Sequence, residues 1–191
     1  MLVVGISGSP KRGNSEYLLD EALKVASGRG FQTESLLCSE LNVGYCKDCG
    51  TCGKGEHCPI EDDMDRVNAA LAEAAAVVVA SPVYFGTVTA QLKSLFDRTL
   101  PLRRQGMQLQ DKVGAAIAVG GSRNGGQEKT IEAIHSWMHI QGMIVVGDNS
   151  HFGGIAVRPA KEDRLGIETV AASANKVCDL LDKIGRGGAQ R

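Results

Sequence analysis

Four cysteines crowd into 13 residues as Cys46-x2-Cys49-x2-Cys52-x5-Cys58, followed at once by Pro59. The first three fall at i, i+3 and i+6, so one short loop can wrap three corners of an inorganic cubane. Gly44, Gly50, Gly53 and Gly55 supply the unusual dihedrals such a wrap demands. Soft thiolates select an iron–sulfur cluster or zinc. Zinc sites usually pair two C-x2-C knuckles across a longer gap, so that ligands come from two separate turns. Here three cysteines are evenly spaced in one turn. Cys46, Cys49, Cys52 and Cys58 therefore read as ligands of a [4Fe–4S] cluster, with zinc or uncommitted thiols as the competing readings. Cys38 and Cys178 lie outside the spacing and read as small buried hydrophobes.

A second chemical stretch runs from Gly5 to Ser15, GISGSPKRGNS, just after an apolar run and just before a helix-like one. Ser7, Ser9 and Ser15 can donate hydroxyl protons, and exposed amides at a helix start favour an anion. The spacing does not give the G-x-G-x-x-G dinucleotide fingerprint. Gly8 and Gly13 have the spacing of a triphosphate loop, but Asn14 stands where its lysine must be. The stretch therefore reads as a monophosphate cradle; the bland alternative is a glycine-rich turn with a serine cap. Gly8-Ser9, Lys11 and Gly13-Asn14-Ser15 resemble the FMN-binding loop of the flavodoxin-like NAD(P)H-dependent FMN reductase superfamily. That resemblance implies that Ser7, Ser9, Lys11, Gly13, Asn14 and Ser15 bind the phosphate end of FMN.

Two further loops extend the likeness, SPVYFGTVTAQLKSLFDR and GGSRNGGQE, so that it covers about Met1 to Gly147. The first sets two of the chain's eight aromatics side by side after an apolar run. Pro82, Val83, Tyr84, Phe85 and Gly86 can offer the flat apolar support and the backbone amides that an isoalloxazine ring needs. The plain alternative makes Tyr84 and Phe85 core residues at a strand end. In the second loop, Gly121, Ser122 and Gly126 suit close backbone approach, and in related flavoproteins the equivalent loop lies along the ring.

These loops need a scaffold, and the apolar runs provide it. Leu2–Ile6, Ala75–Ala80, Val113–Val119 and Met143–Val146, with a weaker Phe31–Leu37, are short and largely valine-, isoleucine- or alanine-rich. Such runs fit parallel strands buried on both faces. Helix-like stretches follow at 15–27, 62–74, 88–99, 127–141 and 162–184. Strand then helix, five times over, predicts an α/β fold with an open parallel sheet and helices on both faces. The superfamily resemblance implies a flavodoxin-like, doubly wound, five-stranded sheet of order 2-1-3-4-5. The cysteine-rich loop, 38–61, is then an insertion after strand 2. Residues 100–112 read as a polar loop whose Arg103 and Arg104 are solvated, or meet a neighbouring subunit or an acidic partner.

Composition sets outer bounds. At 191 residues and 20.2 kDa the chain suits a single domain, 1–185, with a frayed tail, 186–191. A formal charge of −1 leaves no basic excess for nucleic acid. No run approaches the ~18 apolar residues that would span a bilayer. The start MLVVGI is too short for a secretory leader, so a cytoplasmic protein with reduced thiols is expected. His135 and His139 read as helix surface, His57 as a possible hydrogen-bond donor to a cluster sulfur, and His151 as crevice or subunit contact. Glu61-Asp62-Asp63 reads as a helix start, where carboxylates complement the dipole.

An FMN reductase-like chain with a compact C-x2-C-x2-C-x5-C insertion after its second strand resembles the iron–sulfur flavoprotein family. The resemblance implies an electron-transfer flavoprotein carrying FMN and one [4Fe–4S] cluster per subunit. It implies a homodimer or homotetramer in which the cluster lies closer to a partner subunit's flavin. Ferredoxin is then the expected electron donor and a small molecule the acceptor. The rival is an NAD(P)H-dependent FMN or quinone reductase with a zinc-bound or purely structural cysteine loop. A redox sensor with a switching cysteine loop is the third reading.

Overall fold

A computed structural model describes residues 1–188, with side chains to 185. The strands are β1 (Leu2–Ser7), β2 (Gln32–Leu37), β3 (Ala76–Pro82), β4 (Val113–Gly120), β5 (Ile144–Val146) and β6 (Gly154–Val157). The helices are α1 (Asn14–Gly28), α2 (Met64–Glu73), α3 (Ala90–Arg98), α4 (Leu100–Arg104), α5 (Gln127–Ile140) and α6 (Arg164–Gly188). All strand pairings are parallel, in the order β2-β1-β3-β4-β5, which is the flavodoxin-like arrangement. The expected tail begins inside α6, and residues 189–191 lie outside the described residues.

Strand periodicity divides the core between two layers. Val4, Ile6, Val77, Val79, Ala116 and Ala118 face α2, α3 and α5, whose Leu71, Leu95, Phe96 and Ile134 pack beneath them. Val3, Val78, Ala80, Ala115, Ile117 and Val119 face α1 and α6 on the other side. The central strands are continuous apolar runs because both faces are covered. The edge strand β2 has only Leu36 fully buried, which explains its polar composition. Cys38 and Cys178 sit in opposite cores, and burial pushes the Cys38 thiol up to about 12.

Two expectations are corrected. The sheet has six strands, not five: Val113–Ala115 pairs β5, and Ile117–Gly120 pairs β6 on the same edge. The fifth lane is broken by residues 147–153, where Asp148 Oδ1 accepts from the amide of Ser150 at 2.7 Å and closes a turn. Residues 100–112 contain helix α4, started by Pro101 in its first turn and anchored by buried Leu102 and Leu109. Arg103 donates from Nη1 to the carbonyl of Ile140, so it ties α4 to the end of α5.

Candidate functional site

An open parallel sheet binds ligands outside the carboxyl ends of its strands, where the order reverses. β1 lies between β2 and β3, so its exit loop stands at that switch point. A crevice there is lined by Ser9 and Lys11 to Ser15 from the first loop, Pro82 to Tyr84 from the second, and Val119 to Gly121 and Arg158 beyond them.

The first loop is shaped for an anion. Gly13 takes φ 155° and ψ −136°, a region hard for other residues, and turns the chain into α1. No side chain caps α1, so the amides of its first turn are free for an outside acceptor. The Ser9 hydroxyl holds the loop's curve by donating to the carbonyl of Lys11 at 2.6 Å. Asn14 Oδ1 accepts from the amide of Ala160 at 2.8 Å and joins the loop to the segment before α6. Thr89 caps α3 through Leu92 and donates to the carbonyl of Gly8 at 2.5 Å. A Cβ on Gly8 would lie 2.6 Å from Leu92 Cδ2, so helix and loop touch directly.

The ring loops meet each other closely. Tyr84 and Thr87 exchange backbone hydrogen bonds around a tight turn with Phe85 (φ 48°) and Gly86 (φ 81°) at its tip. A Cβ on Gly126, itself at φ 102°, would come within 3.1 Å of Gly86 Cα and 3.3 Å of Val83 Cγ1. Phe85 points into solvent and does not line the crevice. Ser7 is buried at the end of β1, and Gly86, Ser122 and Gly126 shape the rim rather than the lining. Arg12, Val119 and Arg158 line the crevice without having been singled out. Arg12 was legible as the second cation of the loop; Arg158, from the β6–α6 connection, has no local signal.

The cysteine loop forms its own cavity. All four cysteines line it, together with Arg98, Leu100, Pro101 and Arg104 from α3 and α4. Cys46 and Cys49 are exposed, Cys52 and Cys58 half-buried, and none is in a disulfide. Asp48 (φ 50°), Gly50 (φ 74°) and Gly55 (φ 79°) bend the chain around the cavity, with a short 3-10 turn at Thr51–Lys54 between the glycines. The amide of Asp48 donates to Cys46 Sγ at 3.4 Å and the hydroxyl of Thr51 to Cys49 Sγ at 3.2 Å. The bond from Thr51 pulls the Cys49 thiol below its usual range. Among the described residues no three of His, Cys, Asp or Glu converge on one metal point. A cubane offers one iron per thiolate, so its four sulfurs stand farther apart than those around a single ion. The donor set of four thiols around one cavity fits that group.

The two ends of this loop are clamped by Asp62, read from the sequence as a helix start, and Arg98, which the sequence did not single out. Arg98 Nη1 and Nη2 meet Asp62 Oδ2 and Oδ1 at 2.6 and 3.0 Å, and both side chains are 3% exposed. Arg98 also donates to the carbonyls of Gly44 at 3.0 Å and Ile60 at 3.4 Å, the two ends of the loop. Asp62 accepts from the amides of Gly44 and Met64. Burial pushes the Asp62 carboxyl up, but the Arg98 fork and these amides outweigh it and hold it below the usual range. Asp62 is thus more than a helix-start carboxylate. A signal existed: Arg98 lies three residues after Leu95 on the apolar face of α3. His57 pairs with Asp65 at 3.2 Å and is absent from the lining of the cysteine cavity. His151 Nδ1 sits 2.8 Å from Asp148 Oδ2, at a separate pocket beside Arg123 and Gln127.

A doubly wound parallel sheet with a crevice at its switch point, lined by a glycine- and serine-rich loop, is the flavodoxin-like arrangement. Residues 1–156 match the NADPH-dependent FMN reductase family. An iron–sulfur flavoprotein of Methanosarcina thermophila is 55% identical, over 96% of this chain and 97% of its own. One from Methanocaldococcus jannaschii is 45% identical, over 96% and 99%. Among solved structures, an apo NADH:FMN oxidoreductase superposes with TM-score 0.70 at 19% identity, covering 93% of this chain and 88% of that one. A flavodoxin from the Archaea gives TM-score 0.66 at 13% identity, over 95% and 99%. The chain belongs to the iron–sulfur flavoprotein family, within the flavodoxin-like FMN reductase superfamily, and is an FMN-dependent oxidoreductase.

Proposed function

We propose that the chain is an electron-transfer flavoprotein of the cytoplasm, with FMN in the crevice and a [4Fe–4S] cluster on Cys46, Cys49, Cys52 and Cys58. FMN exchanges one or two electrons and a cluster one, so the pair bridges one-electron donors and two-electron acceptors. The donor is of the ferredoxin type and the acceptor a small molecule. The observation that carries this reading is that all four cysteines line one cavity, in a loop whose two ends are tied by Arg98 and Asp62.

The chain's own residues divide the work. The uncapped amides of α1, with the hydroxyl of Ser15, hold the phosphate in the loop that Ser9 shapes, and Lys11 and Arg12 balance its charge. Pro82, Val83, Tyr84 and the backbone at Gly121 flank the ring. Arg98 and Asp62 hold the two ends of the cysteine loop together. Among the described residues the crevice and the cysteine cavity share no lining residue. This supports an electron path that crosses between subunits of a homodimer or homotetramer. The apolar groove along α3 and α5, lined by Phe96, Leu100, Trp137 and Ile140 and reaching Cys46, supplies the contact face. Among the described residues no helix is long and apolar enough to cross a membrane.

Anaerobic purification followed by measurement of iron, zinc, sulfide and flavin tests the proposal. The expected result is one FMN and about four iron atoms per chain, with a broad shoulder near ~400 nm over the flavin bands. Zinc without iron, together with fast flavin reduction by NAD(P)H, would instead establish the reductase reading that the family match favours. Gly126→Ala tests the ring site. Its Cβ meets Gly86 and Val83 at a left-handed position, and strain of ~1–2 kcal/mol should weaken FMN binding about tenfold, read by flavin fluorescence titration. Unchanged affinity would remove Gly126 from the site.

A further inference from the structure

The charges around the cysteine cavity do not cancel. Lys47, Asp48, Asp97, Arg98 and Arg104 all line it. Arg98 is paired with Asp62, and Asp97 with Lys93 at 2.6 Å. Lys47 is followed in sequence by Asp48 but forms no ion pair among the described residues. Arg104, like Lys47, is in no ion pair among the described residues, and of these two cations it alone reaches the cavity from outside the cysteine loop. It ends α4, which packs against the 3-10 turn carrying Cys52.

Gly53 explains how Arg104 gets so close. A Cβ there would lie 2.2 Å from Arg104 Nη1. Gly50 and Gly55 need glycine for their left-handed backbone, but Gly53 does not share that conformation. The missing side chain at Gly53 therefore serves Arg104: it lets the guanidinium rest against the loop between Cys52 and Cys58.

We propose that Arg104 sets the reduction potential of the four-thiolate centre, seated by the bare backbone at Gly53. The inference rests on the cluster reading above. When a one-electron donor reduces a [4Fe–4S] centre held by four thiolates, its overall charge goes from −2 to −3, with no bond made or broken. A neighbouring cation favours the −3 state more than the −2 state, and so raises the potential. Arg98 reaches Cys58, but its charge is offset by Asp62 in a buried pair.

The test is an anaerobic titration with dithionite of the holoprotein and of Arg104→Gln, Arg104→Lys and Gly53→Ala. The reduced cluster is read by electron paramagnetic resonance and FMN by absorbance. Arg104→Gln should lower the reduced-to-oxidised ratio of the cluster about tenfold at the wild-type midpoint, a shift of about 59 mV for one electron. Gly53→Ala should shift it the same way, because the displaced side chain is flexible and the backbone is not strained. Arg104→Lys should retain most of the wild-type value, and the FMN couple should stay put in all three. Because Arg104 is exposed, ~0.5 M salt should shrink the difference. An unshifted cluster in both Arg104→Gln and Gly53→Ala, at full iron content, would overturn the inference. So would Arg104→Lys behaving like Arg104→Gln. Should Arg104→Gln fail to load iron, Arg104→Lys and Gly53→Ala decide by the same readout. Wild-type protein that takes up no iron defeats the cluster reading first, and this inference with it; the iron assay shows that before any titration.

Discussion

Cys52→Ala is expected to leave a folded, yellow protein that has lost most of its iron. Cys52 lies in the 3-10 turn between two left-handed glycines and borders the common cavity with the other three cysteines. Removing it takes one corner from a four-thiolate grip, and a loop site of this kind gains its affinity from all its ligands together. Iron should fall from about four atoms per chain to a small remainder, with loss of the broad absorption near ~400 nm. FMN affinity should stay within about twofold, because the crevice shares no lining residue with the cysteine cavity among the described residues. Paired iron and flavin assays check both halves. Full iron content in the variant would show that Cys52 is not a ligand. Parallel loss of flavin would show that the two sites are coupled through the fold.

Arg98→Met should be the most destabilising single change near the site. It leaves the Asp62 carboxylate buried at 3% exposure with its cationic partner gone. Breaking a buried pair from one side costs ~3–5 kcal/mol. For a chain of this size that lowers Tm by on the order of 10 °C. The loop loses its clamp as well, so limited proteolysis near 44–60 should accelerate. The pH dependence has a definite sign. Asp62 is held below its unfolded value of ~3.9. The pair therefore contributes fully above that value, and its contribution is lost as pH falls through the native one. In the variant only the Gly44 and Met64 amides oppose burial, so the Asp62 carboxyl rises from its wild-type position and acid relieves the unpaired charge. The Tm gap between wild type and Arg98→Met should thus be wide at pH 7 and narrow as acid protonates Asp62. Asp62→Asn combined with Arg98→Met should recover part of the loss, because no lone charge remains. A constant gap across pH would mean that lost packing, rather than the stranded carboxylate, sets the cost.

Much of the site was legible because its signals are local. A cysteine spacing, a glycine-rich loop after an apolar run and a left-handed turn are each specified by a dozen neighbouring residues. The parallel sheet was legible for a related reason: burial on both faces makes whole strands apolar, whatever their order. The break in the last lane escaped because β6 has only four residues, too few for a periodic pattern. Helix α4 escaped because two arginines and a proline in five residues look like a loop until Leu102 and Leu109 are buried beneath them. Phe85 was expected against the ring, but its φ of 48° turns the side chain outward at the tip of a hairpin-like turn.

The sequence by itself determined the ligand types and the loops that carry them, together with the strand–helix rhythm that puts those loops at one edge. The fold alone decided which distant charges meet the loops. Asp62 and Arg98 are 36 residues apart, Gly53 and Arg104 about fifty, and Asn14 and Ala160 are separated by 146. No short window encodes such meetings. They follow from the order in which the strands are laid down and from which helix ends come to rest beside which loop.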